Sequence, residues 1–397
     1  MTRFGHAMEK IDERIPGIDL PLMSVSQTRG VIRRSELTDA PQRAESLDAY
    51  KVCRRNDIVF NKMSIRAGAM GVAHEDGLVT YHYEVMRPRP GTDAHFISYL
   101  MKSSWFTEEL IKRERGIGAG DQANVRTTEV PFSALKTIDA FIPSSEEQRA
   151  IADYLDRETA RIDTLIEEQH RLIEMLRERR AAAIASTLTD LRAAMTRLKY
   201  VSTIQTGITL SGEGDPVDPE WPYLRVANVQ VGYVNLGEIK TVRVPSERAV
   251  RSMLQRGDVL MTEGGDIDKL GRGALWHGDL PNMLHQNHIF AVRPNGSLDS
   301  EFLVYWLDGP VARTYFRTTA KQTTNLAATN KWTVGNLPVA LPPIEDQKRT
   351  IAALDEQTAA IGSLIAETKR LIELARERRS VLITAAVTGQ IDVREAA

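Results

Sequence analysis

The sequence predicts an α+β protein: two mixed α/β globular domains separated by two long α-helices packed as an antiparallel coiled coil. Three observations predict it. One segment of the 397-residue chain occurs twice, both copies have helical rather than strand periodicity, and the stretches before the two copies also match each other.

The repeat begins with Pro143-Ser144-Ser145-Glu146-Glu147-Gln148-Arg149, echoed by Pro342-Pro343-Ile344-Glu345-Asp346-Gln347-Lys348. It continues without a gap through Leu155-Asp156 and Leu354-Asp355 to Arg177-Glu178-Arg179-Arg180 and Arg376-Glu377-Arg378-Arg379. About twenty of 47 aligned positions are identical, far beyond chance. Each copy starts after proline with acidic residues in its first turn, where the helix dipole favours them. Apolar residues then recur at helical spacing: Leu155, Ile162, Leu165, Ile166, Leu172 and Ile173 in the first copy, and Leu354, Ile361, Leu364, Ile365, Leu371 and Ile372 in the second. A helix of about 45 residues is roughly 65 Å long and cannot bury such a seam by itself. The simplest partner is the other copy, which places the segments side by side and antiparallel. The alternative is that each packs only on its own globular domain.

The domains this implies are a globular unit at 1–142, a helix at 143–195, a second unit at 196–341, and a second helix with a C-terminal tail at 342–397. The units are themselves related. Asn56-Asp57-Ile58-Val59-Phe60 resembles Gly257-Asp258-Val259-Leu260-Met261, and Tyr81 to Pro88 resembles Asn287 to Pro294, as strands that stop at proline. A helical stretch from Phe96 to Ile111 matches one from Phe302 to Phe316, the latter broken at Gly309-Pro310. No counterpart of Lys199–Gly212 is evident at the start of the first unit.

Composition narrows the function. Net charge is -2, and the two globular segments are nearly balanced, with 20 basic against 19 acidic residues in 1–142 and 15 against 14 in 196–342. Any nucleic-acid contact must therefore come from local clusters rather than bulk attraction. The lone Cys53 excludes an internal disulfide framework and fits a reducing compartment. The first residues have no apolar signal core, and no apolar run reaches membrane-spanning length, so a cytoplasmic location is expected. No phosphate loop of the Gly-x-x-x-x-Gly-Lys-Ser/Thr type occurs, nor an Asn-Pro-Pro-aromatic run. His285-Gln286-Asn287-His288 offers two imidazoles without a completing ligand set, so neither a metal nor a catalytic centre is expected.

The order of unit, helix, diverged unit and second helix, each helix entered through Pro-x-x-Glu-x-Gln, closely resembles the specificity (S) subunits of type I restriction–modification systems. Ala385-Ala386-Val387-Thr388-Gly389-Gln390-Ile391-Asp392 is also similar to that family's usual C-terminus. The resemblance spans essentially the whole chain. It implies that each globular unit is a target recognition domain reading one half of a bipartite, asymmetric site in double-stranded DNA. It implies that the helix pair is a spacer and docking surface for two methyltransferase (M) subunits, which motor-nuclease (R) subunits join. DNA adenine methylation with S-adenosylmethionine, and cleavage with ATP and Mg, would belong to those partners, leaving this chain without catalysis or cofactor. A stand-alone DNA-binding protein and a coiled-coil adaptor are the competing readings.

Base edges are read by Arg, Lys, Asn and Gln, carried on loops held by rigid elements. Such residues in the first unit are Lys62, Arg66, Lys112, Arg113, Arg115, Gln122 and Asn124. In the second unit they are Lys269, Arg272, Arg313, Arg317, Lys321, Gln322 and Asn325. The Arg-rich stretches Arg177 to Arg180 and Arg376 to Arg379 are expected to be a hydrated helix face, with docking of a methyltransferase helix as the alternative.

Overall fold

The computed structural model describes residues 1–39, 46–113, 130–209, 215–322 and 326–393. It divides into two compact units: Met1–His170 with Lys369–Ala397, and Arg171–Thr368.

In the first unit a four-stranded antiparallel sheet runs in the order Met8–Ile11, Tyr83–Pro88, Ile58–Asn61, Met70–Val72. Helices Ala94–Lys102 and Ser104–Ile111 cover one face, burying Phe96, Leu100 and Phe106 against Ile58, Phe60 and Met86. The second unit repeats this plan with Ser202–Thr206, Ile289–Pro294, Val259–Thr262 and Gly273–Leu275, covered by Ser300–Asp308 and Pro310–Thr319. The registers agree: Ile58 pairs with Met86, and Val259 with Val292. The strand-entry turn matches as well, since Asn56 at φ 70° and Gly257 at φ 93° share the left-handed region, which those two residue types tolerate best.

Two features went unread in the sequence. The start of the first unit does have a counterpart. Strand Thr2–Arg3, one helical turn at Phe4–Ala7 and strand Met8–Ile11 correspond to Met195–Arg197, Leu198–Val201 and Ser202–Thr206. The outer strands pair alike, Thr2 with Ala140 and Met195 with Ala340. Only the spacing of two buried apolar residues is kept (Phe4 and Ala7, Leu198 and Val201), so identity could not reveal it. The helix pair is also broken in both units. Ser103 ends one helix and caps the next, accepting a hydrogen bond from the Phe106 amide at 3.1 Å, where the second unit uses Gly309-Pro310.

The repeats form helices Ser145–Thr189 and Ile344–Val387, of 45 and 44 residues. Within the first unit, Ile151, Ala152 and Leu155 of one helix and Ile383, Ala386 and Val387 of the other enter the same core. The helices there run antiparallel, for Arg379 meets Asp163 at 3.0 Å while Arg376 lies near His170. Within the second unit, Ile184 and Leu188 share a core with Ile351 and Leu354, and Thr187 reaches Gln357. Each helix thus packs both on a globular module and on the other helix.

The buried seam is narrower than the apolar residues suggest. Leu155, Ile162, Ile173, Leu354, Ile361 and Ile372 are buried, while Ile166, Leu172 and Ile365 are half-buried. Leu165, Leu364 and Leu371 are exposed at 38%, 42% and 42%, because each precedes a seam position by one residue and is turned about 100° from it. Thr159, Thr358 and Thr368 occupy seam positions instead, each donating its hydroxyl proton 2.7 Å to the carbonyl four residues earlier.

The motif that opens each helix has a structural task. Gln148 accepts from the Asp93 amide and donates to the carbonyls of Gly91 and Pro143, at 2.8, 3.1 and 2.8 Å. Gln347 does the same with Asp299, Ser297 and Pro342, at 2.8, 2.8 and 2.9 Å. Nearly two turns further into each module helix, Tyr99 donates to Asp156 and Tyr305 to Asp355, both at 2.6 Å. Each module is therefore fastened to its own long helix by the same two side chains. Burial and the adjacent carboxylate push the Tyr99 phenol up to about 12.

Candidate nucleic-acid interface

The edge that carries most of the expected DNA-reading residues is built from the sheet outward. In the second unit the central strand Val259–Thr262 is anchored at its start by Asp258, whose carboxylate accepts both arms of Arg293 at 2.7 and 2.8 Å and the Gln255 amide at 2.8 Å. Asp57 and Arg87 make the same bidentate pair in the first unit. The strand then runs on through Glu263 to Gly264–Gly265, which pairs with Ala327–Ala328, which in turn pairs with Lys321–Gln322. A small three-stranded sheet thus carries Lys321 and Gln322 on its outer strand. Both are exposed, and their side chains have no partner among the described residues.

The loop between Gly265 and Gly273 is shaped by arginines. Arg313 donates to the carbonyls of Leu270, Asp268 and Ile267 at 2.6, 2.9 and 3.4 Å; burial lowers its guanidinium to about 10, aided by the nearby Arg272 cation. Arg272 donates to the Asp268 carbonyl and lies 3.5 Å from the Asp308 carboxylate. Gly271, at φ +76°, packs so closely that a Cβ there would meet the Phe316 ring at 2.1 Å. Arg313 and Arg272 are thereby engaged in holding the loop. Lys269 is left exposed at its tip, and among the described residues Arg317 is held only by an exposed pair with Asp268, which a phosphate can displace at little cost.

In the first unit, Lys62 follows the equivalent central strand Ile58–Asn61 and Arg66 lies in the turn beyond, both half-buried. Lys112 pairs with Glu109, while Arg113 holds the Glu109 carboxylate and carbonyl and reaches Thr137 at 3.3 Å. Arg115, Gln122, Asn124 and Asn325 lie outside the described residues.

The imidazoles of His285 and His288 do not converge. His285 is fully buried, its Nδ1 on the Ile289 carbonyl, and burial pushes it down to about 4. His288 is exposed and meets Glu263 at 2.5 Å. Among the described residues no three metal-ligating side chains gather, and no helix is long and apolar enough to cross a membrane. The Arg-rich segments are mainly exposed, as expected of a hydrated face; Arg180 and Arg379 are half-buried, Arg180 reaching Asp308 at 3.2 Å and Arg379 reaching Asp163. Glu263 lies at this edge although the sequence pointed only to cationic and amide side chains there. The match of Asn56–Phe60 to Gly257–Met261 was the available signal, since two residues beyond it Lys62 faces Glu263 in the alignment.

Two related α/β modules, each fastened to a long helix and each presenting polar side chains where its central strand ends, define a duplicated-module protein. Comparison with known proteins gives that class its relatives. The chain is similar to the EcoKI specificity subunit of the type I restriction enzyme of Escherichia coli strain K12, 21% identical over 321 residues, covering 77% of this chain and 68% of that one. It is equally similar to the StySPI specificity subunit of Salmonella potsdam, at 21% over 321 residues and 77% and 67% coverage. It has the fold of a chain solved in work on complex assembly and conformational transition of the type I R-M system, with a TM-score of 0.69, 17% identity, and 98% and 97% coverage. No family model matches. The resemblance read from the repeat is borne out by these relatives.

Proposed function

We propose that the chain is the non-catalytic DNA-specificity subunit of a type I restriction–modification enzyme, each module reading one half of a bipartite, asymmetric site. The observation that carries this is the duplication itself. The same sheet, helix pair, Gln and Tyr fastenings and Asp–Arg anchor recur, while the side chains at the reading edge differ. A shared scaffold with unlike edges suits two unlike half-sites. The readers we assign are Lys62 and Arg66 in one module and Lys269, Arg317, Lys321 and Gln322 in the other, with Arg272 and Arg313 shaping the loop that presents Lys269.

The paired helices act as spacer and as docking surface for two methyltransferase subunits, through which motor-nuclease subunits join. S-adenosylmethionine, ATP and Mg serve the partners. The domains assigned to these tasks are 1–142 and 196–341 for recognition and 143–195 and 342–397 for spacing.

Purifying the protein from its native cells under low salt tests the assignment. Two methyltransferase chains should accompany each copy, and DNA binding by the complex should weaken steeply as salt rises. A chain that purifies alone and fails to bind DNA would contradict it.

A further inference from the structure

We infer that Glu263 and Lys62 are a matched pair of specificity-determining residues, Glu263 accepting from the N4 amino group of a cytosine and Lys62 donating to the O6 and N7 of a guanine. The inference rests on the reading proposed above and names the chemistry at one position of each half-site.

Strand register fixes the equivalence. Ile58 pairs with Met86 and Val259 with Val292, so Lys62 and Glu263 each stand one residue beyond the last paired residue of the same strand. The neighbouring strands start alike: His82 precedes Tyr83 as His288 precedes Ile289. One scaffold position thus carries opposite charge in the two modules.

Glu263 is held ready rather than left loose. Its amide donates to the His288 carbonyl at 2.9 Å, and its own carbonyl accepts from the Thr329 amide at 2.8 Å, so the backbone is fixed on both sides. His288 Nδ1 holds Oε2 at 2.5 Å, and Oε1 has no partner among the described residues. The side chain is 36% exposed, beside the sheet that carries Lys321 and Gln322. A carboxylate at a phosphate-binding edge is repelled by DNA unless it meets a base donor. In the major groove cytosine offers the N4 donor, whereas the adenine N6 donor adjoins the N7 acceptor, which opposes a second carboxylate oxygen. A lysine at the same position prefers the paired acceptors of guanine. His288 is a positioning residue for Glu263.

The test is the base profile of duplexes that the full-length protein retains from a randomised pool. Glu263→Gln keeps the shape but adds a donor, and Gln pairs with adenine N6 and N7. One position of one half-site should change from cytosine toward adenine by roughly tenfold, the other half unaltered. Lys62→Glu should change a guanine to a cytosine in the other half. His288→Gln should blunt the cytosine preference without changing the preferred base. A Glu263→Gln profile identical to the wild type, or weakened evenly at every position, overturns the inference while leaving the proposed function standing. A wild-type protein that retains no preferred sequence overturns both.

Discussion

Single side chains explain how the two modules diverged on one scaffold. Glu84 in the first module is buried with Lys51, which donates to it at 3.2 Å and to the Tyr83 carbonyl at 2.8 Å, while Lys10 closes the cluster at 3.0 Å. The second module has Phe290 at that position, in an apolar core. Replacing Glu84 by Ala strands the Lys51 ammonium where water does not reach, so the first unit should lose about 3 kcal/mol, read as a lower denaturant midpoint. His285 gives the second module a pH response. Burial disfavours its charged form, so the folded state binds its proton only near pH 4, the unfolded chain near 6.5. Its stabilising contribution is full above about pH 6.5 and falls as acid is added toward pH 4. Between pH 7 and pH 5 the wild type should lose about 2 kcal/mol through this group. Denaturant titrations of wild type and His285→Gln at the two pH values should differ by that loss; parallel behaviour would rule it out.

At the scale of elements, the long helices were the most legible part of the chain, because a repeated heptad spacing leaves few alternatives. What the pattern could not give was which leucines face inward: Leu165 and Leu371 have the right chemistry one position away from the seam, and Thr159 and Thr358 the wrong chemistry at it. The strands matched where Asp and Arg anchor them and went unread at Thr2–Ile11, where only burial is shared. The reading edge was the least legible. An arginine that binds a carbonyl and one that binds a phosphate look alike in sequence, and Arg313 is the first kind. If the helices set the gap between half-sites, removing one heptad from each shortens the spacer by about 10 Å, roughly three base pairs. Methylation by the assembled enzyme on sites of graded gap should move its optimum by that amount. An unmoved optimum would assign the spacing to something other than the helices.

For the whole molecule, the proposed function gives duplication a use: one fold would serve two targets. The same Gln and Tyr contacts fasten each module to its helix, so under that proposal only the few residues past the central strand would need to change to alter what is read. The retained-sequence profile of the full-length protein tests this most directly, compared among wild type, a Lys62→Ala/Arg66→Ala variant and a Lys269→Ala/Lys321→Ala variant. We expect two blocks of preferred bases with an indifferent gap, the first variant blurring one block and the second variant the other. A single unbroken block, or both blocks fading together in either variant, would contradict the account.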